Sequence, residues 1–397
     1  MKDKYNRTVV IFFAHHIEHV PPPLNVATEL GKQGYKVYLI GYRKYGVPRY
    51  QKLGPNVLLF RMDLRSSGIK IGFIRKVCVL LEFIAKAKKI THKISPRYLI
   101  TFNEVASLLN AFRFPSVSRK YNWQLEFPES ETGSIFEILL KKYSVRSWKY
   151  ADVMIFPTQV RFSMGAVLDP GIIRKKVMVV HNAPLNTTPG TSGKLDKRLL
   201  SEPLEFLHAA ECSGRRSILY TGAVGNRYGW STIIKAVAGR NDFVLLILGI
   251  KHELGEREFC EAIQDAKYPE NVRWLEPVPY RMLQDILKEG DIGFVTYRGD
   301  TLNTRFSAPG KLYEYLKAGL YILTDENACI GSELKEANCG QLFPSQFDES
   351  TLNRVLDTLI ETGIAGARQR SIDLFSSRFA FEKQLEPLMD DLCKLKY

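Results

Sequence analysis

Short apolar runs of strand length alternate along this 397-residue chain with stretches whose apolar positions recur every three or four residues, the period of a helix. Residues 8–14 form the first run. A helix is predicted over 25–32, with Gly34 marking the turn after it. Further strands are predicted over 37–41, 56–60, 98–101, 152–157 and 177–180, and a long basic amphipathic helix over 69–93. A polar stretch rich in Thr, Pro, Gly and Ser, residues 186–194, then interrupts the pattern as a linker does. Beyond it the alternation restarts, with strands over 217–220, 243–248, 272–275, 292–295 and 321–324 and helices over 230–238, 256–266, 280–288 and 311–317. Strands separated by helices imply βαβ units, so the pattern predicts an α/β protein of two doubly wound, Rossmann-like domains. The expected division is an N-terminal domain over 1–185, a linker region over 186–213, a second domain over 214–378 and a closing helical segment over 379–397. Ligands of such sheets bind at the carboxyl ends of the strands, here expected to face a central cleft.

Composition narrows the class. Hydrophobic residues make up 45% and charged residues 25%, which is ordinary for a globular protein and excludes disordered and low-complexity scaffolds. The six cysteines are scattered, with no CxxC pair, so a disulfide framework or structural zinc is not expected and a reducing compartment is. The first residues run straight into an apolar strand, with no signal-peptide core, and no charge-free apolar stretch has the length needed to span a bilayer. The expectation is a cytoplasmic protein. Its charge is uneven: residues 1–180 hold 30 Lys and Arg against 12 Asp and Glu, while the rest of the chain is slightly acidic. A half so basic should face something anionic, and the mixed apolar and basic segment 68–93 suits the inner surface of the plasma membrane.

The candidate chemistry begins at Ser307-Ala308-Pro309-Gly310-Lys311-Leu312-Tyr313-Glu314, a turn leading into a predicted helix that stops at Gly319. A helix N terminus offers backbone N–H groups and positive dipole to a phosphate, and Lys311 adds a charge. Glu314, one turn in, is placed to accept hydrogen bonds from ribose hydroxyls. An ordinary capped helix is the competing reading. The string Ser-x-Pro-x-Lys-Leu-Tyr-Glu-Tyr-Leu-x-x-Gly closely resembles the donor motif of GT-B glycosyltransferases of the group 1, family-4-like set. The resemblance extends over most of the chain and is strongest from about 217 to 340. It implies that Glu314 binds the donor ribose and that the turn of Ser307, Pro309, Gly310 and Lys311 sits against the nucleotide diphosphate, with Leu312 also among the donor-binding residues. It also implies a C-terminal helix that crosses back to the N-terminal domain.

Four further segments follow from the same resemblance. The glycine-bearing turn at Gly222, Gly225, Asn226 and Arg227 corresponds to the donor loop, although the family's Arg and Lys are replaced by Ala223 and Tyr228; Arg227 or Lys311 would supply the missing charge. Val278 and Tyr280 stand where the base is contacted. In the N-terminal half, His15-His16-Ile17-Glu18-His19 replaces the usual glycine-rich loop. Trp123-Gln124-Leu125-Glu126 replaces an Asp-x-His-Glu pattern, so the family's His is lost and Glu126 kept. Candidates for a catalytic base are His16, Glu126 and Glu129, with Glu18 beside them. No Asp-x-Asp pattern occurs, and neither a bound metal nor another cofactor is expected.

The function implied is transfer of a sugar from a nucleotide-diphospho-sugar of UDP or GDP type to a saccharide or lipid-linked acceptor, in cell-envelope or exopolysaccharide synthesis. Three other readings stand beside it: a catalytically silent GT-B partner subunit, an NAD-dependent oxidoreductase, and a nucleic-acid-binding protein. Against the oxidoreductase, residues 243–248 are followed by Gly249-Ile250-Lys251 with no acidic residue for a ribose. Against the last, zinc-finger spacing, an RNP-like strand and a helix-turn-helix signature are all missing from the sequence.

Overall fold

A computed structural model describes residues 7–17, 20–44, 46–68, 70–126, 134–186, 198–225, 229–297 and 301–394. The chain divides into two units, one of residues 1–184 with 381–397 and the other of residues 185–380. The strands of the first unit are β1 (Thr8–Phe13), β2 (Lys36–Tyr42), β3 (Tyr50–Gly54), β4 (Val57–Met62), β5 (Tyr98–Phe102), β6 (Arg119–Trp123), β7 (Val153–Phe156) and β8 (Lys176–Val179). They form one sheet in the order β3-β4-β2-β1-β5-β6-β7-β8. All pairs are parallel except β3 with β4. The helices between them are α1 (Pro21–Lys32), α2 (Gly72–Ile94), α3 (Asn103–Ser107), α4 (Ile135–Ser147) and α5 (Gln159–Leu168). Val9, Val10, Ile11 and Phe12 are wholly buried, the continuous apolar run of a central parallel strand. Phe83 and Ala87 of α2 pack into the same core, where Phe83 meets Phe12 edge-on at 6.2 Å.

The sheet of the second unit contains β9 (Arg216–Thr221), β10 (Phe243–Leu248), β11 (Val272–Leu275), β12 (Ile292–Val295), β13 (Tyr321–Asp325) and β14 (Gly340–Phe343), all parallel, in the order β11-β10-β9-β12-β13-β14. Its helices are α6 (Arg198–Cys212), α7 (Trp230–Ala238), α8 (Glu253–Ile263), α9 (Tyr280–Lys288), α10 (Leu302–Arg305), α11 (Gly310–Ala318), α12 (Gly331–Glu336), α13 (Glu349–Thr362) and α14 (Ala367–Leu374). The core joins Ile233, Ile234 and Val237 of α7 to Leu245, Ile247 and Phe294 of the sheet. The chain then re-enters the first unit with α15 (Phe381–Gln384) and α16 (Glu386–Lys394). Asp391 of α16, almost wholly buried, bonds Arg119 at 2.7 Å, Lys176 at 2.5 Å and the Tyr121 hydroxyl at 2.9 Å. Tyr98 donates to the Leu392 carbonyl at 3.0 Å.

Three local expectations need correction. The region 186–213 is not all linker, because 198–212 is helix α6, with Leu207 and Ala210 buried. Its interior Pro203 is the sixth residue of the helix, past the first turn, so one i→i−4 hydrogen bond, to the Leu199 carbonyl, is not made. Helix α1 begins at Pro21 rather than at residue 25, with Pro21, Pro22 and Pro23 in its first turn, where a missing N–H costs little. Strands β3, β6 and β14 were not anticipated. β6 reads Arg-Lys-Tyr-Asn-Trp, which has no apolar run, and two of its polar side chains are satisfied by Asp391 from the far end of the chain.

Candidate active site

In an open parallel sheet a crevice forms where the strand order reverses. In the second unit that point lies between β9 and β12, which run to opposite sides of the sheet. After β9 the chain turns through Gly222 (φ +100°) and Gly225 (φ +134°), left-handed conformations that side chains disfavour. After β12 come Thr296 and Tyr297, and the Tyr297 N–H donates to Asp325 at the end of β13 at 3.0 Å. Helix α11 is fastened to the same edge. The Tyr315 hydroxyl accepts from the Thr221 N–H at 2.9 Å and lies 3.0 Å from the Thr221 hydroxyl, and its ring crosses Gly293.

This brings Lys311 and Glu314 to the switch point. The Lys311 ammonium lies 4.3 Å from the centre of the Tyr220 ring and 5.3 Å from that of Tyr297, and donates to the Thr221 carbonyl at 3.4 Å. Burial pulls its pKa down to about 7, against the opposing pull of Glu314. Glu314 is half-buried and accepts a hydrogen bond from the Tyr280 hydroxyl. Burial pushes its carboxyl up to about 7 despite Lys317 and Lys311 nearby. Two neighbouring groups of opposite sign, both shifted by burial at the point where the strand order reverses, make this a candidate ligand site.

Other anticipated residues fall around this pair. Ser307 and Gly310 are half-buried, and Pro309 is the N-cap of α11. The Leu312 side chain is wholly buried and its N–H bonds the Pro309 carbonyl, so it supports the turn from beneath. Val278 is half-buried just before α9. Tyr280 is exposed, and its hydroxyl is tied to Glu314. Asn226 and Arg227 lie outside the described residues. Tyr220, Tyr297 and Tyr315 were not anticipated; the signal for them is their position on or just after β9 and β12 and on the helix carrying Lys311.

The first unit has its switch point between β1 and β5. His16 follows β1, half-buried, and its Nδ1 atom has no hydrogen-bond partner among the described residues. Asn103 follows β5 at φ +60°, a conformation uncommon for a residue with a side chain and one that collects at functional sites. Its side chain accepts from the Leu125 N–H at 2.8 Å, and the Leu125 carbonyl accepts from Arg161, which fixes the loop after β6. Trp123 stacks on Phe102 at 5.0 Å, and Leu125 is buried. These two residues, where the resembled family has an Asp and a His, are therefore packing groups. Gln124 and Asn122 are buried and bonded to each other at 2.7 Å. That bond leaves the Gln124 carbonyl oxygen and the Asn122 amide nitrogen without partners among the described residues.

Glu126 is exposed at the end of this loop. Glu104, half-buried in α3, was not anticipated, although it directly follows the strained Asn103. Burial raises its pKa, and the Glu126 carboxylate adds to the rise while Lys141 opposes it. His16 and Glu126 thus share the carboxyl edge of one sheet, two strands and roughly 10 Å apart by strand spacing. Glu129 and Glu18 fall outside the described residues. Among the described residues no three His, Cys, Asp or Glu side chains are grouped to hold a metal ion.

No protein-family model matches the chain, and no curated protein matches it in sequence. Solved structures match it in shape. A sucrose-phosphate synthase from Thermosynechococcus elongatus superposes with a TM-score of 0.72 at 14% identity, over 98% of this chain and 99% of its own. An α,α-trehalose 6-phosphate synthase from Burkholderia multivorans gives 0.67 at 13% identity, over 98% and 97%. The HepE protein of Anabaena, in complex with UDP-glucose, gives 0.68 at 11% identity, over 98% and 99%. The match covers nearly the whole of each chain, and the fold of this chain, two α/β units each built on a largely parallel sheet, is GT-B.

Proposed function

We propose that this protein is a glycosyltransferase that moves a sugar from a nucleotide-diphospho-sugar to a hydroxyl of a saccharide or lipid-linked saccharide. The observation that carries the reading is the Lys311–Glu314 pair on the first turns of α11, held at the β9/β12 switch point. In this reading the Glu314 carboxylate accepts from the ribose hydroxyls. The diphosphate lies against the turn of Ser307, Pro309 and Gly310, the helix N terminus and Lys311. Transfer breaks the bond between the anomeric carbon and the diphosphate oxygen, and Lys311 stabilises the charge that gathers there. The acceptor hydroxyl attacks the anomeric carbon, and its proton passes to a base of the first unit; Glu126, Glu104, Glu129 and His16 are the candidates. Arg227 and Asn226 supply further donor contacts, and Val278 meets the base. The UDP-glucose of the Anabaena relative supports a UDP-type donor. A place in cell-envelope or exopolysaccharide synthesis is part of the proposal, as is a cytoplasmic location at the membrane face.

The test is thermal stabilisation by UDP, GDP, ADP, CMP and NAD and by their sugar derivatives. A nucleotide at 100 times its dissociation constant should add about 2.7 kcal/mol. A selective gain with one nucleoside diphosphate, lost in Glu314→Ala, is the expected result. A gain with NAD alone would replace this reading with an oxidoreductase, and no gain with any would leave a catalytically silent partner subunit.

A further inference from the structure

The first unit carries a surface to which the transfer reaction assigns no role. Only Phe83, Ala87 and Thr91 of the 23 residues of α2 are buried. At its start Ile71, Phe73 and Ile74 are 62, 55 and 46% exposed. Helix α4 lies beside it, joined by an edge-on contact of Phe73 with Phe136 at 6.3 Å and an ion pair of Lys76 with Glu137 at 2.8 Å. It exposes Ile135, Ile138, Leu139 and Tyr143 in turn. Between the helices runs an apolar groove of about 760 Å³, whose walls include Val77, Leu80 and Ile84 on one side and Phe136 and Leu140 on the other. Large apolar side chains gathered on one exposed face mark a surface that something covers.

The charge around the groove says what covers it. Residues 70–94 contain seven Lys and Arg and one acidic residue, Glu82; residues 134–150 contain four and one, Glu137. Both carboxylates are already bonded to lysines, Glu82 to Lys86 at 2.6 Å and Glu137 to Lys76. A second copy of this chain seated face to face would set cation against cation. An anionic bilayer matches both properties, with apolar side chains in the acyl boundary and ammonium and guanidinium groups among the phosphates.

We infer that the α2–α4 face docks on an anionic lipid bilayer. Phe73, Ile74, Ile138 and Leu139 enter the headgroup–acyl boundary, lipid tails fill the groove, and Arg75, Lys142 and Arg146 bind headgroup phosphates. The inference deepens the membrane part of the proposed function but rests on this face alone, so it stands or falls separately from sugar transfer.

The experiment is sedimentation of the full chain with phosphatidylcholine vesicles, with and without phosphatidylglycerol. Binding should be at least about tenfold tighter to the anionic vesicles and weaken as salt rises. Arg75→Glu combined with Lys142→Glu should reduce it by at least about tenfold, while the second-unit control Lys235→Glu with Lys335→Glu leaves it within about twofold. The native tryptophans are all buried, so Ile74→Trp adds an exposed reporter whose emission should shift to the blue on anionic vesicles alone. The circular-dichroism spectrum and thermal midpoint of each variant, without nucleotide, serve as the check on folding. Equal binding to neutral and anionic vesicles, no loss in the charge-reversed variant, or no spectral shift would overturn the inference. So would self-association abolished by Phe73→Asn, which would make the face a contact between copies.

Discussion

The two sheets end alike and differ in what they present there. At the β9/β12 end the polar groups are charged and mutually held: Lys311 between two tyrosine rings, Glu314 on Tyr280, Thr221 on Tyr315. At the β1/β5 end buried amide atoms of Asn122 and Gln124 and a ring nitrogen of His16 lack partners among the described residues, and two carboxyls stand near each other. The first arrangement suits a ligand of fixed charge, which needs a rigid counter-charge. The second suits hydroxyl groups, which can donate and accept at once and so satisfy amides left half-bonded. In the proposed reading, one topology used twice provides an anion site and a hydroxyl site through the side chains at the strand ends.

This contrast predicts how substitutions divide. The largest effect is expected from Glu126→Gln or Glu104→Gln, whichever carboxyl takes the acceptor proton. Turnover should fall by about 10²–10⁴ with UDP affinity unchanged in calorimetry. Weakened UDP binding in either variant would break the division. Next is Lys311→Met, which should lower nucleoside diphosphate affinity by about 10- to 100-fold. A loss below threefold would remove Lys311 from the anion site. A smaller effect, about tenfold per pH unit, is expected in the pH profile. Lys311 loses its charge as pH rises through about 7, and Glu314 loses its charge as pH falls through about 7. Affinity should therefore peak near neutrality. Lys311→Arg should flatten the alkaline limb, and Glu314→Gln the acid limb; a profile that Lys311→Arg leaves unchanged would sink the assignment. The smallest effect is on stability. The Glu314 carboxyl is raised above its ordinary value, so folding disfavours the charged form and stability is lost as pH rises from about 4.5 through 7. Without ligand at pH 8, Glu314→Gln should gain about 1 kcal/mol, or 2–4 °C in Tm. A lowered Tm would mean that the carboxylate is structural.

The second sheet was the more legible in sequence. The strands 243–248, 272–275 and 292–295 and the helices 230–238 and 280–288 coincide with β10, β11, β12, α7 and α9. Their apolar runs are bounded by residues that stop them, and their neighbours lie close in the chain. In the first unit the strands β1, β2, β4, β5, β7 and β8 were legible to within a residue or two, while β3, β6, α4 and α5 were not. The outer face of α4 mixes Ile and Leu with Lys and Arg all round, so no clean helical stripe shows. Lys311 and Glu314 were legible because both lie on one short helix. Glu104 was hidden, since what places it is the left-handed turn at Asn103 and a hydrogen bond to a loop some twenty residues later.

The return of α16 sets an order on synthesis. The carboxylate that satisfies Arg119, Lys176 and Tyr121 is on Asp391, and the whole second unit is translated between those groups and their partner. A nascent chain can close its second sheet while the first still holds cations and a phenol with no counterpart. The unit begun first is completed last, after the ribosome has released the segment that finishes it. A stop codon just after Ala380 would therefore injure the N-terminal half of the protein rather than the half it adjoins.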